Sequence, residues 1–345
     1  MSLPAAPRTR SEGVWAAAAR RFRSDRVGMV CLGLVIAFGV LIALAALGLV
    51  AADWQVEKGV PNAPPSFLGP APMAAPDAIV AAPDGPMLDI TAVDPLAPRY
   101  KEWAARAAQI QTHVVPKADT LPFGADRLGR DVLAKAIKGA QISIFVGVLA
   151  ALMATLIGTV LGAFAGFFGG KAGDFIEWLY NVFTAIPDIL LIFAFAAVAG
   201  RDVQSVVLIL GLTGWTSVYR LVRAEFLKHS TRDYVRAAEA VGASAASRIF
   251  RHILPNVSHV VLVRLSILVV GFIKAEVILS YLGLGVSVDQ VSWGTMLAES
   301  QSELLLGYWW QLAAATLFMA LFVAAFSLFT DALRDALDPR LRGLE

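Results

Sequence analysis

Apolar residues fall in six long runs, separated by segments that carry most of the arginines. A helix rises about 1.5 Å per residue and the hydrocarbon core is about 30 Å thick, so each crossing needs roughly 20 mostly apolar residues. Residues 27–52 and 142–170 contain no charge; 175–200 carry only Glu177 near the start and Asp188 in the middle. Residues 203–219 are short and uncharged, with a tight turn expected at Gly200-Arg201-Asp202 just before them. Residues 257–285 include Arg264, Lys274 and Glu276 and are the weakest of the six by hydropathy, whereas 304–330 are uncharged. The pattern predicts an all-α polytopic membrane protein with six transmembrane helices. Composition agrees: 57% hydrophobic and 16% charged residues, with a mean hydropathy of +0.66, are the marks of a bilayer protein.

Charge sets the orientation. Arg20, Arg21, Arg23 and Arg26 precede the first run, Arg220, Arg223, Lys228, Arg232 and Arg236 follow the fourth, and Arg334, Arg340 and Arg342 follow the sixth. Six crossings put all three clusters on one side, which the positive-inside rule makes cytoplasmic. Residues 1–26 and the tail at 331–345 are then cytoplasmic, as are both termini, and 53–139 are external. The first run is too long for a signal-peptide core. A formal net charge of +2 speaks against nucleic acid as a partner. Cys31, the one cysteine, builds neither an internal disulfide nor a thiolate metal site.

Ten prolines between Pro61 and Pro98 favour irregular backbone in the external segment, which reads as a loop or small cap with one short helix at 100–112. Gly158, Gly162, Gly166 and Gly170 recur every fourth residue and line one helix face; packing within the subunit is the preferred reading, ahead of a subunit interface. Tyr308, Trp309 and Trp310 suit an interfacial anchor.

The most telling polar segment is YVRAAEAVGASAASRIFRHILPN at 234–256, set between two apolar runs. Its alanines favour helix, Gly242 interrupts it and Pro255 closes it. It resembles the coupling loop of bacterial ABC importer permeases: two alanines (Ala237, Ala238), a glycine four positions later (Gly242), and Ile253-Leu254-Pro255 downstream. Arg236 stands where a glutamate often opens that signature. LPFGADRLGRDVLAKAIKGAQISIFVG from Leu121, AEVILSYLGLGV from Ala275, VSWGTMLAES from Val291 and DALRDALDPR from Asp331 resemble segments of the C-type subunit of dipeptide and oligopeptide permeases, so the likeness covers nearly everything from Leu121 onward. It implies the type I ABC importer permease fold, with residues 140–330 as a five-helix core and 228–256 as the coupling segment. Tyr234, Arg236, Ala237, Ala238, Gly242, Ala243, Ile253 and Pro255 are the expected ATPase-coupling residues. The implied partners are a second, related permease, two cytoplasmic ATPases that hold the ATP and Mg, an extracytoplasmic substrate-binding protein and the lipid bilayer of the inner membrane.

The chain is expected to carry no cofactor, metal site or catalytic group of its own. Its closest approach to a phosphate loop, Gly169-Gly170-Lys171-Ala172, lacks the upstream glycine and the Ser or Thr after lysine. Ionisable groups inside spans mark partners or pathways, so Glu276 is the first candidate for the translocation path, facing a substrate amine, followed by Asp188 and by Lys274, which lies on a different helix face from Glu276. A structural hydrogen bond is weighed equally for the carboxylates. The same architecture importing nickel, an oligosaccharide or another solute is the alternative, and an intramembrane enzyme is the less favoured one.

Overall fold

The computed structural model describes residues 14–70, 94–109, 116–287 and 289–337. Pro72, Pro76, Pro83 and Pro86, together with Arg340 and Arg342, lie outside them. The described chain is helical, with short turns and isolated bridges. It divides into two compact units, one formed by Met1–Gln55 with Val132–Glu345 and the other by Val56–Asp131.

The helices in chain order are α1 (Val14–Ser24), α2 (Arg26–Ala46), α3 (Tyr100–Gln109), α4 (Val132–Phe168), α5 (Gly170–Thr184), α6 (Asp188–Val198), α7 (Val203–Thr213), α8 (Thr216–Ser230), α9 (Asp233–Ala240), α10 (Ala245–Ser247), α11 (Leu254–Tyr281), α12 (Trp293–Leu305) and α13 (Trp310–Leu337). A π-helical turn, Arg248–Ile253, leads into α11. Among the described residues, four stretches are long and apolar enough to cross a membrane: Arg26–Ala46, Val132–Phe168, Val203–Ser230 and Trp310–Leu337. The α5 and α6 pair makes a fifth if counted as one span, although its helices meet at 83°. The 28-residue α11, with Arg264, Lys274 and Glu276, is not among them, so the count of six stays an expectation.

The departures from the apolar runs have local causes. The third run predicts one helix, but Pro187 lacks an N–H and disfavours helical backbone at Ile186, so the chain breaks at 185–187. The core begins at Val132, not 140: α4 takes in Lys135 and Lys138 and at 37 residues runs about 55 Å, beyond one hydrocarbon thickness. The sixth run starts at Trp310, not 304, because α12 ends at Leu305 and Gly307 turns the chain with φ +91°. The expected turn at 200–202 is present, and Asp202 caps α7 by accepting from the Ser205 backbone N–H at 2.8 Å and hydroxyl at 2.9 Å. Those bonds hold its carboxyl below the ordinary range. Gly169 and Gly170, at φ +60° and +56°, form the turn between α4 and α5.

The glycine stripe packs within the chain. A Cβ on Gly158, Gly162 or Gly166 would sit 2.6–2.9 Å from the backbone or Cβ atoms of α8 and the Trp215 preceding it. In a bilayer, lipid tails compete for apolar side chains, so helix association depends on such close fit. Gly170 falls outside this seam. Val218, Val222 and Phe226 fill the other side of it, fully buried.

A buried polar cluster joins α4, α12 and α13. Lys135 Nζ is 2.5 Å from Glu299 Oε2 and 3.1 Å from Gln311 Oε1, and Gln311 Nε2 donates to Met296 O at 3.2 Å. A lysine at the head of an apolar run is tolerated because its charge is paired inside. Trp310 is also buried, packed against Tyr308 with ring centroids 5.1 Å apart, so only Trp309 keeps a large exposed surface for the expected anchor.

The second unit has a hydrogen-bonded frame of its own. Gly59 donates to Gly129 O at 2.9 Å, Val60 to Ala118 O at 3.0 Å and Ser66 to Leu121 O at 2.8 Å. The buried Asp126 carboxylate accepts from the backbone of Leu128 and Arg130 and from Arg130 Nε at 2.7 Å. The helix expected at 100–112 is α3; its last expected residues lie outside the described chain.

Candidate coupling segment and intramembrane charges

The polar segment folds as a helical hairpin on the ends of α4, α8 and α11. Ser230 ends α8, and α9 follows after two residues; His229 Nδ1 lies 2.7 Å from Tyr234 Oη and ties the two helices. Burial raises the Tyr234 phenol above its ordinary pKa, so the hydroxyl stays neutral. Helix α9 is amphipathic. Val235 and Ala238, three apart, are buried, whereas Tyr234, Arg236, Ala237, Glu239 and Ala240 are exposed.

Gly242 ends α9 with a full Schellman motif. Ala243 N–H donates to Ala238 O and Gly242 N–H to Glu239 O, each at 2.9 Å, and the glycine takes φ +85°. An L side chain at that φ is strained, although a Cβ there would meet no atom within 4 Å. The signature's spacing between the second alanine and the glycine is thus the spacing from the anchoring position to the left-handed cap.

Past the cap, Ser244 starts α10 and Arg248 closes the hairpin. Arg248 Nη1 is 2.5 Å from Glu239 Oε1, and its guanidinium lies 5.2 Å from the ring centroid of Phe167 near the end of α4. In the π-helical turn Ile249 and Ile253 are buried and Phe250 points out; Pro255 occupies the first turn of α11, where its missing N–H costs nothing.

Of the eight expected coupling residues, then, Tyr234, Arg236, Ala237, Gly242 and Pro255 are exposed and Ala243 is half-buried. Ala238 and Ile253 face inward as anchors, so they hold the segment in place and are not open to a partner. The structure adds two residues that the motif does not mark: Val241, 85% exposed, and Phe250, 67% exposed. Both are large apolar side chains left open at the surface of the hairpin. The sequence signal for them is weak, since each is one apolar residue among others.

The intramembrane charges separate. Glu276, the first candidate for the path, is fully enclosed, so a substrate does not reach it in this structure. Its Oε1 accepts from Ser280 Oγ at 2.7 Å, and Oε2 is buried without a hydrogen-bond partner. The surrounding motifs build this enclosure. Trp293 donates from N to Ser143 Oγ at 3.2 Å and from Nε1 to Ala136 O at 3.1 Å. Gly294 lets α12 approach α11 so closely that a Cβ would lie 2.5 Å from Val277 O.

Lys274, by contrast, is exposed on α11, in a stripe with Ile267, Gly271, Ile278 and Tyr281 at three- and four-residue intervals. Asp188 is exposed at the start of α6, on the Pro187 break. Neither forms an ion pair with a described residue. A lysine near the middle of a helix costs about 2.5–3.5 kcal/mol on insertion scales if it faces lipid. The α11 stripe is therefore better matched to a protein or aqueous neighbour than to acyl chains.

Comparison with known proteins places these features. Residues 158–343 match the family described as binding-protein-dependent transport system inner membrane component. The dipeptide transport system permease protein of Bacillus subtilis (strain 168) is 36% identical over 69% of this chain and 74% of its own length. The oligopeptide transport system permease proteins of the same strain and of Salmonella typhimurium are 34% and 39% identical, over 71% and 64% of this chain and 80% and 72% of theirs. A solved structure of the MetNI methionine ABC transporter in inward-facing conformations is similar at TM-score 0.49 and 15% identity, covering 59% of this chain and 96% of that one. With an amphipathic hairpin capped at Gly242 and the family match running through it, the chain belongs to the binding-protein-dependent transport system inner membrane components.

Proposed function

We propose that this chain is one permease subunit of an ATP-driven peptide importer, forming half of the translocation pathway beside a second, related permease. The carrying observation is the coupling hairpin: anchored by Val235, Ala238, Ile249 and Ile253, it displays Val241 and Phe250 where a partner protein can cover them. Two cytoplasmic ATPases are the partners it suits, and ATP with Mg belongs to them. Closure of the ATPases on ATP would draw two such hairpins together and tilt the attached helices; work is done because the contacts differ between the two states. The peptide names of the relatives favour a peptide over nickel or an oligosaccharide as cargo. Both termini and the hairpin are cytoplasmic in this reading, residues 53–139 are external, and Lys274 and Asp188 are the charges open to the path. Purifying the complex from its native membrane and identifying its subunits and bound solute tests this. A second permease, ATPases and a peptide are expected; recovery without any ATPase would overturn the coupling role, and a bound metal or sugar would overturn the cargo.

A further inference from the structure

Helices α8, α11 and α13 enclose a groove of about 710 Å³ beside the coupling hairpin. Lys228, His229, His259, Arg264 and Arg334 line it with a single carboxylate, Glu225. That carboxylate is engaged, with Oε2 3.1 Å from Lys228 Nζ and 3.6 Å from His229 Nε2. Arg264 has no such relief. Its Nε is buried without a hydrogen-bond partner, and the neighbouring charge acting on it is Arg220, of like sign. A half-buried guanidinium next to another cation carries a desolvation penalty that an anion in the groove would offset.

The neighbourhood says which anion. Ile267 lines the groove and also begins the open α11 stripe that leads to Lys274. Acyl chains lying along that stripe would meet the exposed lysine, which argues against a lipid tail below a lipid headgroup. Val260 and Val263 add apolar wall beside the cations. We infer that the groove is an anion subsite at the cytoplasmic end of the translocation path, where Arg264, backed by Arg334 and Lys228, takes the terminal carboxylate of a peptide and the valines meet its side chains. Arginine suits this role because its planar fork meets a carboxylate through two parallel hydrogen bonds. The inference rests on the peptide-permease reading for the identity of the anion, not for the existence of the site.

Photolabelling and transport test the two separately. The purified complex in detergent is irradiated with para-azidobenzoate, and labelled peptides are mapped by mass spectrometry. The expected result is labelling on α8, α11 or α13 that drops at least about fivefold in Arg264→Gln, is largely retained in Arg264→Lys, and is blocked by benzoate but not benzamide. Equal labelling of wild type and Arg264→Gln, absence of labelling in wild type, or equal protection by benzamide would overturn the subsite. Loss of the label on adding phosphatidylglycerol, with benzoate ineffective, would assign the groove to lipid and overturn it likewise. In reconstituted vesicles, Arg264→Gln is expected to reduce uptake of trialanine several-fold relative to trialanine amide; equal reduction of both also overturns it. A wild-type complex that labels as expected yet moves neither peptide refutes the cargo reading and leaves the anion subsite standing.

Discussion

Substitution of Gly242 separates backbone strain from partner contact at the hairpin proposed to couple. The residue sits at φ +85°, where an L side chain costs roughly 1–2 kcal/mol. Gly242→Ala therefore lowers the population of the capped conformation by about 5- to 30-fold relative to open ones. The Glu239–Arg248 ion pair, 59% and 19% exposed, opposes that opening only weakly. Gly242→Asn should recover most of the loss, because asparagine tolerates the left-handed region. Gly242→Trp adds bulk to the same strain, at a position where a Cβ would meet no atom within 4 Å. Under the proposed docking, its loss beyond that of Ala is expected to come from a clash with the docked partner. The assay is transport-coupled ATP hydrolysis in reconstituted vesicles, normalised to permease abundance. Expected activities fall from Gly through Asn and Ala to Trp, with Trp near background and abundance unchanged. Wild-type coupled hydrolysis in Gly242→Trp would refute the docking assignment, and equal losses for Ala and Trp would reduce Gly242 to a backbone role.

Three further outcomes follow from the same geometry. In a background lacking Cys31, an impermeant thiol reagent applied to intact cells should modify Pro86→Cys and spare Arg236→Cys; the opposite pattern would invert the topology. Gly162→Leu should lower the recovery and thermal midpoint of the subunit, since even a Cβ there would lie 2.8 Å from Tyr219 O and 2.9 Å from Val222 Cβ; overpacking of this kind costs about 1–3 kcal/mol, and unaltered stability would mean the α4 and α8 seam is looser than described. Glu276→Gln keeps an acceptor for Ser280, so any loss of uptake should be the same for a peptide and its N-acetylated form; a selective loss for the free amine would return Glu276 to the substrate path.

The hydropathy pattern locates the apolar runs because bilayer crossing depends on composition, which a sequence carries openly. It does not show where a run breaks. Pro187 is visible, yet whether a proline kinks a span or splits it into α5 and α6 depends on neighbours. Lys135 illustrates the opposite failure: its charge signals the edge of a run, but Glu299, more than 160 residues away, neutralises it and lets α4 start at Val132. For the hairpin, residue identities and spacing are enough to place the Gly242 cap, whereas burial of Ala238 and exposure of Phe250 require the packed body beneath them. Glu276 and Lys274 show the same limit most plainly. Their two-residue spacing puts them on different faces, as the structure has them, but periodicity cannot say which face is inside.

How a push on the hairpin is transmitted follows from which seams can slide. Val235 and Ala238 seat α9, and Arg248 clamps the hairpin over Phe167 of α4. Helix α4 is in turn fitted to α8 through Gly158, Gly162 and Gly166, where Cβ-to-backbone clearances below 3 Å leave no room for one helix to ride over the other. A second tight fit joins α4 to α11, where a Cβ on Gly147 would lie 2.3 Å from Ile273 Cγ1. Packed interfaces of this closeness shift between discrete arrangements or move as a body. Displacement of the hairpin is therefore carried by α4, α8 and α11 together, and the angular change must be absorbed where helical hydrogen bonding is already interrupted. The described chain offers such points at the Pro187 break and at the Gly307 turn, and the first of them is where Asp188 stands exposed.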